Sequence, residues 1–200
     1  MQQSYLNSLS IGSYSKEIPY LSDGIARSDG QMNYGFKNLI AHPELLEAIP
    51  ELNDDLALQS LVHRLNSGDT QFFTTGCSSQ KISEEDGYRV SGYIEFAWNC
   101  QVCVRDAINY FSLFFHFEQS LCRNNFEPQV KFHWSIDETI FVDLQIPGFG
   151  CTVFVKTDCY SSRNKAYQTW HQSLTMLDSF LGSIPIKSST AIYQHTSPNY

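Results

Sequence analysis

Hydrophobic residues recur at helical spacing in four segments of the chain. Prolines bound the first segment, Asn53 is the expected N-cap of the second, and the fourth has one continuous apolar face. The third has only a narrow polar stripe, which predicts that this helix is buried on more than one side. The four predicted helices span residues 43–50, 53–67, 104–123 and 162–181.

Alternation of apolar and polar residues predicts strands elsewhere. The polar segment Ser78–Gly87 is expected to form a loop between the first two strands. Asp137-Glu138 and Pro147–Gly150 interrupt the last alternating region and predict two tight turns, and connections this short make neighbouring strands antiparallel. The predicted strands are Thr70–Thr75, Tyr88–Trp98, Val130–Ile136, Thr139–Ile146 and Cys151–Thr157.

The order of these elements predicts the fold class. It is ααββαβββα, without the regular alternation of strands and helices that is typical of a doubly wound parallel sheet. We therefore expect an α+β fold, with a mostly antiparallel sheet of four to five strands and helices packed on one face. The expected organisation is an irregular N-terminal arm over residues 1–40, a single α+β domain over 41–182 and a polar C-terminal tail over 183–200.

Composition narrows the classes of partner. The formal net charge is −8 and no basic cluster is present, so we expect no nucleic-acid partner. The N-terminus has no secretion-signal pattern, and polar residues interrupt the most apolar stretch, Ala107–Leu121, which is too short to cross a bilayer. These features predict a cytoplasmic protein with no membrane partner and six reduced cysteines. No nucleotide-binding motif or spaced ligand set is present, so we expect no cofactor and no metal.

Cys100 and Cys103 form the pattern most suggestive of chemistry. They lie in Trp98-Asn99-Cys100-Gln101-Val102-Cys103, between a predicted strand and a predicted helix, where the helix dipole lowers the pKa of a thiol. The segment resembles the active-site region of thioredoxin-like oxidoreductases, in which a Trp precedes a CxxC at the start of a helix. The resemblance implies thiol–disulfide exchange, with Cys100 as the more exposed and more acidic thiol. The alternative is that both cysteines pack as small hydrophobic residues.

Glu118 is a second chemical candidate, because it falls on the apolar side of its predicted helix. A carboxylate there needs an ion-pair partner such as Arg89 or Arg105, or it opens into a pocket or an interface. An acid–base or thiol site would require Glu118, His133 and Cys100 to converge in the fold. Their spacing along the sequence does not decide whether they do.

Strand alternation also divides the predicted sheet into two faces. One face is expected to pack under the helices, and the other carries aromatic rings among charges, which is typical of a recognition surface and also occurs on solvated sheet faces. We therefore favour a non-catalytic protein-interaction or regulatory domain that binds a protein partner or a second copy of itself. The alternative is a thiol–disulfide oxidoreductase or another thiol enzyme that uses Cys100 and Cys103. The expected binding residues are Tyr93, Glu95, Lys131, His133, Phe141, Asp143 and Phe154.

Overall fold

The chain folds into an α+β structure, and the part that the structure describes has three α-helices beside a mixed sheet. The computed structural model describes residues 4–22, 34–186 and 189–194. The strands are β1 (Tyr5–Ile18), β2 (Phe72–Glu84), β3 (Gly87–Trp98), β4 (Val130–Phe141) and β5 (Ile146–Thr157). The helices are α1 (Leu56–Leu65), α2 (Ile108–Arg123) and α3 (Arg163–Gly182), and short 3₁₀ turns span Pro43–Ala48, Pro50–Leu52, Cys103–Arg105 and Val142–Leu144.

The sheet has the strand order β1-β4-β5-β3-β2. Its pairs are antiparallel except for β1 and β4, which run parallel. These pairings confirm the α+β class and the mostly antiparallel sheet. The predicted element order is only partly matched, because one strand was missed and the last three predicted strands form two longer ones.

The missed strand is β1, so the prediction of an irregular arm is wrong for Tyr5–Ile18. Its register against β4 shifts between Ile11 and Ser15, and this irregularity interrupts the period-two pattern by which a strand is detected in a sequence. Gly12 lies in the irregular stretch, where a Cβ would overlap the carboxylate of Asp137. Residues 23–33 of the predicted arm lie outside the described residues.

Most of β2 was also missed, because its second half is polar. The expected loop over Ser78–Gly87 is wrong, because β2 pairs with β3 from Phe72 as far as Glu84 opposite Gly87. β2 is at the edge of the sheet, and its second half is partly or fully exposed. Polar residues suit such an edge because they discourage pairing with other chains.

A single hairpin replaces the last three predicted strands. The turn lies at Val142–Gln145, where Gln145 has a left-handed φ of 53°. Asp137 stays extended opposite Gly150. Pro147 is also part of the hairpin and pairs with β4. It lies outside residues 151–156, the part of β5 that pairs with β3. Gly148 allows close packing and does not turn the chain: a Cβ there would come within 2.7 Å of the Val104 carbonyl oxygen. The two predicted tight turns are therefore wrong.

One face of the sheet packs under the helices and forms the main core. The ring of Phe117 in α2 lies 5.0 Å from that of Phe132, 5.5 Å from that of Trp134 and 5.3 Å from that of Phe180 in α3. The indole of Trp170 donates a 2.7 Å hydrogen bond to Asp55, and the same carboxylate caps the first turn of α1. This contact connects α1 to α3.

Helix α2 is shorter and less buried than its sequence predicted. It begins at Ile108, and its buried residues lie on a single face. Phe115 is 63% exposed and Phe114 is half-buried, so the prediction of burial on more than one side is wrong. No helix in the described part of the chain combines the length and the apolar character of a membrane-spanning segment.

Candidate functional site

The sheet face opposite the helices, called the open face below, carries most of the predicted binding residues. Tyr93 on β3 and Phe154 on β5 lie opposite one another, with ring centroids 5.8 Å apart. The imidazole of His133 stacks on the other side of Phe154 at 6.1 Å. Phe154 remains 44% exposed, and Lys131 beside it is exposed. These side chains form an aromatic row across three strands.

Phe141 and Asp143 do not belong to this aromatic row. Phe141 is 1% exposed and packs on Phe73, with 6.0 Å between ring centroids. Asp143 lies in the 3₁₀ turn after β4, so strand alternation no longer determines its direction. The prediction of an exposed position is therefore wrong for Phe141, whereas Asp143 is exposed but does not lie on the sheet. A layer of chain from outside the sheet covers this end of the open face.

The C-terminal segment supplies part of that layer. The Asn99 side chain accepts hydrogen bonds from the backbone of Ile192 and Tyr193 at 2.9 and 2.8 Å, and donates one to the Tyr193 carbonyl at 2.9 Å. The Tyr193 ring packs against Phe73 and Phe36, with centroid distances of 5.0 and 5.6 Å. The expected polar tail therefore contributes core residues at this point.

Next to the covered end, the open face forms a cavity of about 500 Å³. Its floor includes Gly76, where a Cβ would lie 3.0 Å from a Glu95 oxygen, so the glycine leaves room above the strand. The phenol of Tyr20 donates a 2.8 Å hydrogen bond to the carbonyl of Thr75, the extra residue at the β2 bulge. The charged and aromatic lining residues are Lys16, Tyr20, Tyr34, Phe36, Lys37, Glu51, Tyr93, Glu95 and Phe154.

Charges of both signs line this cavity. Lys16 on β1 forms an ion pair with Glu95, with 2.5 Å between Nζ and Oε2, and its ammonium lies 4.5 Å from the centre of the Tyr20 ring. Burial, with a smaller effect of Glu95, raises the pKa of Tyr20 well above its usual range. Burial also raises the pKa of Cys77 to about 12, so this thiol stays protonated at neutral pH and is a poor nucleophile. The lining is suited to binding rather than to covalent chemistry.

Glu51 is the unusual group in the lining. It lies in the 3₁₀ turn Pro50–Leu52, which packs against β2, and it faces the Tyr20 and Cys77 side chains closely enough to raise both of their pKa values. Its Oε2 atom is buried and has no hydrogen-bond partner in the described part of the chain. Burial raises the pKa of Glu51, while a hydrogen bond to its own backbone and the nearby Lys37 oppose that shift.

Glu118, His133 and Cys100 do not converge. Glu118 lies on the helix side of the sheet, where it accepts hydrogen bonds from the phenol of Tyr5 and the amide of Asn7 at 3.2 and 3.0 Å. Both of these donors belong to β1. The ring nitrogens of His133 bond the hydroxyls of Ser8 and Ser10, each at 3.0 Å, on the open face. Cys100 lies beyond the end of β3, apart from both.

Cys100 and Cys103 are paired as a disulfide, which contradicts the prediction of six reduced cysteines. The CxxC also does not open a long helix: Cys103 begins a three-residue 3₁₀ turn, and α2 begins five residues later. The helix dipole therefore gives no reason to expect an acidic thiol at Cys100. Cys100 is 1% exposed and Cys103 is half-buried, opposite to the order that the thioredoxin-like resemblance implied.

The site also includes residues that the sequence did not indicate. Lys16 and Tyr20 come from the missed strand β1 and the chain beyond it, and Glu51 comes from the 3₁₀ turn before α1. The Pro50-Glu51 pair marks a turn in the sequence, but nothing local shows that this turn lies against β2. Among the described residues, no group of three or more His, Cys, Asp or Glu side chains is arranged to hold a metal ion.

Comparison with known proteins adds no relative. No protein-family model, no curated protein and no solved structure matches this chain.

Proposed function

We propose that this chain is a non-catalytic protein-interaction domain, whose open face binds a segment of a partner polypeptide. The observation that carries this proposal is the aromatic row of Tyr93, Phe154 and His133 beside the 500 Å³ cavity. Phe154 is exposed, and the other two side chains of the row are half-buried. Aromatic residues are enriched at interfaces, and a cavity next to a partly exposed aromatic row receives a projecting side chain in a way that a flat sheet face does not.

The remaining features of the cavity support binding over catalysis. The Cys77 thiol is held protonated, and the Lys16 and Glu95 charges are paired with each other. The polar groups of the cavity therefore orient a ligand more readily than they transfer protons or attack it. A second copy of the chain is the other expected occupant of the face.

The proposal is tested by removing one ring from each side of the molecule. Phe154→Ser removes a 44% exposed ring from the open face, and Phe115→Ser removes a 63% exposed ring from the outer surface of α2. Both variants are expected to melt near the wild-type temperature, because neither ring is core. The measurements are affinity capture of partners from a lysate and sedimentation for self-association.

Loss of a specific partner, or of the self-associated form, in Phe154→Ser but not in Phe115→Ser supports the open face as the interface. Equal binding by Phe154→Ser and wild type, or a selective loss in Phe115→Ser, contradicts it.

A further inference from the structure

The lining of the cavity includes a carboxylate, that of Glu51, which forms no ion pair within the described part of the chain. Glu95 is neutralised by Lys16, whereas the buried Oε2 atom of Glu51 has no donor within those ranges. A desolvated carboxylate oxygen without a donor is unfavourable, and buried polar groups in folded proteins are nearly always hydrogen-bonded. A carboxylate that lines a cavity without a cationic partner therefore indicates which group a ligand would supply.

The chain's own cations lie close by but are engaged elsewhere. Lys16 contacts Glu95 and the Tyr20 ring, and the Lys37 ammonium donates to the Tyr34 carbonyl at 3.4 Å. No ion pair joins Glu51 to either lysine within the described residues. The neutral neighbours Tyr20 and Cys77 do not hydrogen-bond Glu51 in that part of the chain, since the phenol donates to the Thr75 carbonyl.

We infer that the cavity takes a cationic side chain, a lysine ammonium or an arginine guanidinium, presented by the partner polypeptide, with Glu51 as its counter-ion. This inference rests on the proposed function and names the chemistry of the segment that is bound. Tyr93 and Phe154 provide ring surface at the cavity, as Tyr20 already does for the Lys16 ammonium. The net charge of −8 favours approach of a basic segment at long range.

The volume agrees with this occupant. About 500 Å³ lies within the range of ligand sites and leaves room for a long basic side chain and part of its backbone. Hydroxyl and amide groups of Ser78, Gln80 and Ser91 are also in the lining. A guanidinium or an ammonium carries several donors, so it needs more acceptors than one carboxylate supplies.

The test uses the full chain and four defined probes: the Nα-acetyl amides of lysine, arginine, norleucine and citrulline. Norleucine and citrulline match the two basic side chains in shape but carry no charge. Binding is followed by ¹H–¹⁵N NMR titration of wild type, of Glu51→Gln and of Glu47→Gln, a control that removes an exposed charge from the neighbouring 3₁₀ turn.

A cationic probe is expected to shift amides around Glu51, Cys77 and Tyr93 in a saturable manner, and its neutral analogue is not. Glu51→Gln should weaken that binding roughly tenfold or more, since a hydrogen bond to a charged group is lost, whereas Glu47→Gln should leave it unchanged. Equal shifts by charged and neutral probes, no saturable shift by either cation, or an unaffected Glu51→Gln variant each overturn the inference.

These failures are distinguishable from failure of the proposed function. If the cationic probes do not bind but Phe154→Ser still loses its partner, the open face remains the interface. Only the assignment of a basic side chain to the cavity is then wrong. If Phe154→Ser behaves as wild type while the lysine or arginine probe binds at Glu51, the cavity is a cation site without an interface around the aromatic row.

Discussion

At the scale of single residues, Glu51 stands out because its environment disfavours its charge. Burial raises the pKa of this carboxyl above its ordinary value of 4.5, so the folded chain binds the proton more tightly than the unfolded chain does. The ionised form therefore lowers the free energy of unfolding at every pH above the folded pKa. A residue that weakens the fold and lines a cavity is expected where its identity is selected for binding and not for stability.

Glu51→Gln is accordingly expected to raise the melting temperature at pH 7, because the amide carries no charge to desolvate. The gain should shrink as pH falls through the raised pKa and vanish below about 4.5, where Glu51 is protonated in both states. Thermal unfolding at several pH values measures this difference. Glu47→Gln is the control, since Glu47 is exposed. A Glu51→Gln variant that melts below wild type at pH 7 would show that the ionised carboxylate stabilises the fold.

At the scale of elements, α2 has two apolar surfaces of unequal importance. Phe117 points into the core between the sheet and α3, whereas Phe115 points outward. Both positions are aromatic, so the pattern along the sequence does not separate them. Only the rotation of the helix on the sheet decides which ring is buried.

Phe117→Ala is expected to cost about 3–5 kcal/mol of unfolding free energy, because a buried ring is replaced by a cavity. Phe115→Ala should change it by no more than about 0.5 kcal/mol, as is usual for an exposed position. Urea unfolding followed by circular dichroism gives both values. Similar costs at the two positions would mean that α2 is rotated relative to the arrangement described above.

At the scale of the whole molecule, the fold depends on how closely the helix layer approaches the sheet. Trp170 of α3 reaches over β3 at Gly92, where a Cβ would come within 2.8 Å of the indole and 2.2 Å of the Ser78 carbonyl oxygen. The Ser78 backbone cannot withdraw without disturbing the β2–β3 pairing, so a glycine is required there by packing.

Gly92→Ala is therefore expected to cost about 1–3 kcal/mol, the usual range for overpacking a core. Ser91→Ala, one residue away on the other face of β3, is the matched control and should cost less. Unfolding curves give the stability change, and tryptophan fluorescence reports whether the Trp170 environment moves. If the two alanine variants are equally stable, the close approach of α3 to β3 does not require a glycine at position 92.

The sequence determined those features that rest on local periodicity. Alternation assigned Tyr93 and Phe154 to one face of the sheet, and helical spacing located α1 and α3 within a few residues. The tertiary structure decided everything that depends on partners distant in the chain. It made the Ser78–Gly87 segment a strand, because β3 supplies its hydrogen bonds, and it buried Phe141 under residues from other segments.

The cavity is the clearest case of a feature that only the tertiary structure decided. Lys16 meets Glu95 across 79 positions of sequence, and Glu51 reaches the same space from a turn beside β2. The hydrophobic pattern along one element predicts on which face each side chain lies, because neighbouring residues of that element share one backbone geometry. The pattern does not predict which distant segment packs above that face. The open face was therefore predictable from the sequence, and the cavity on it was not.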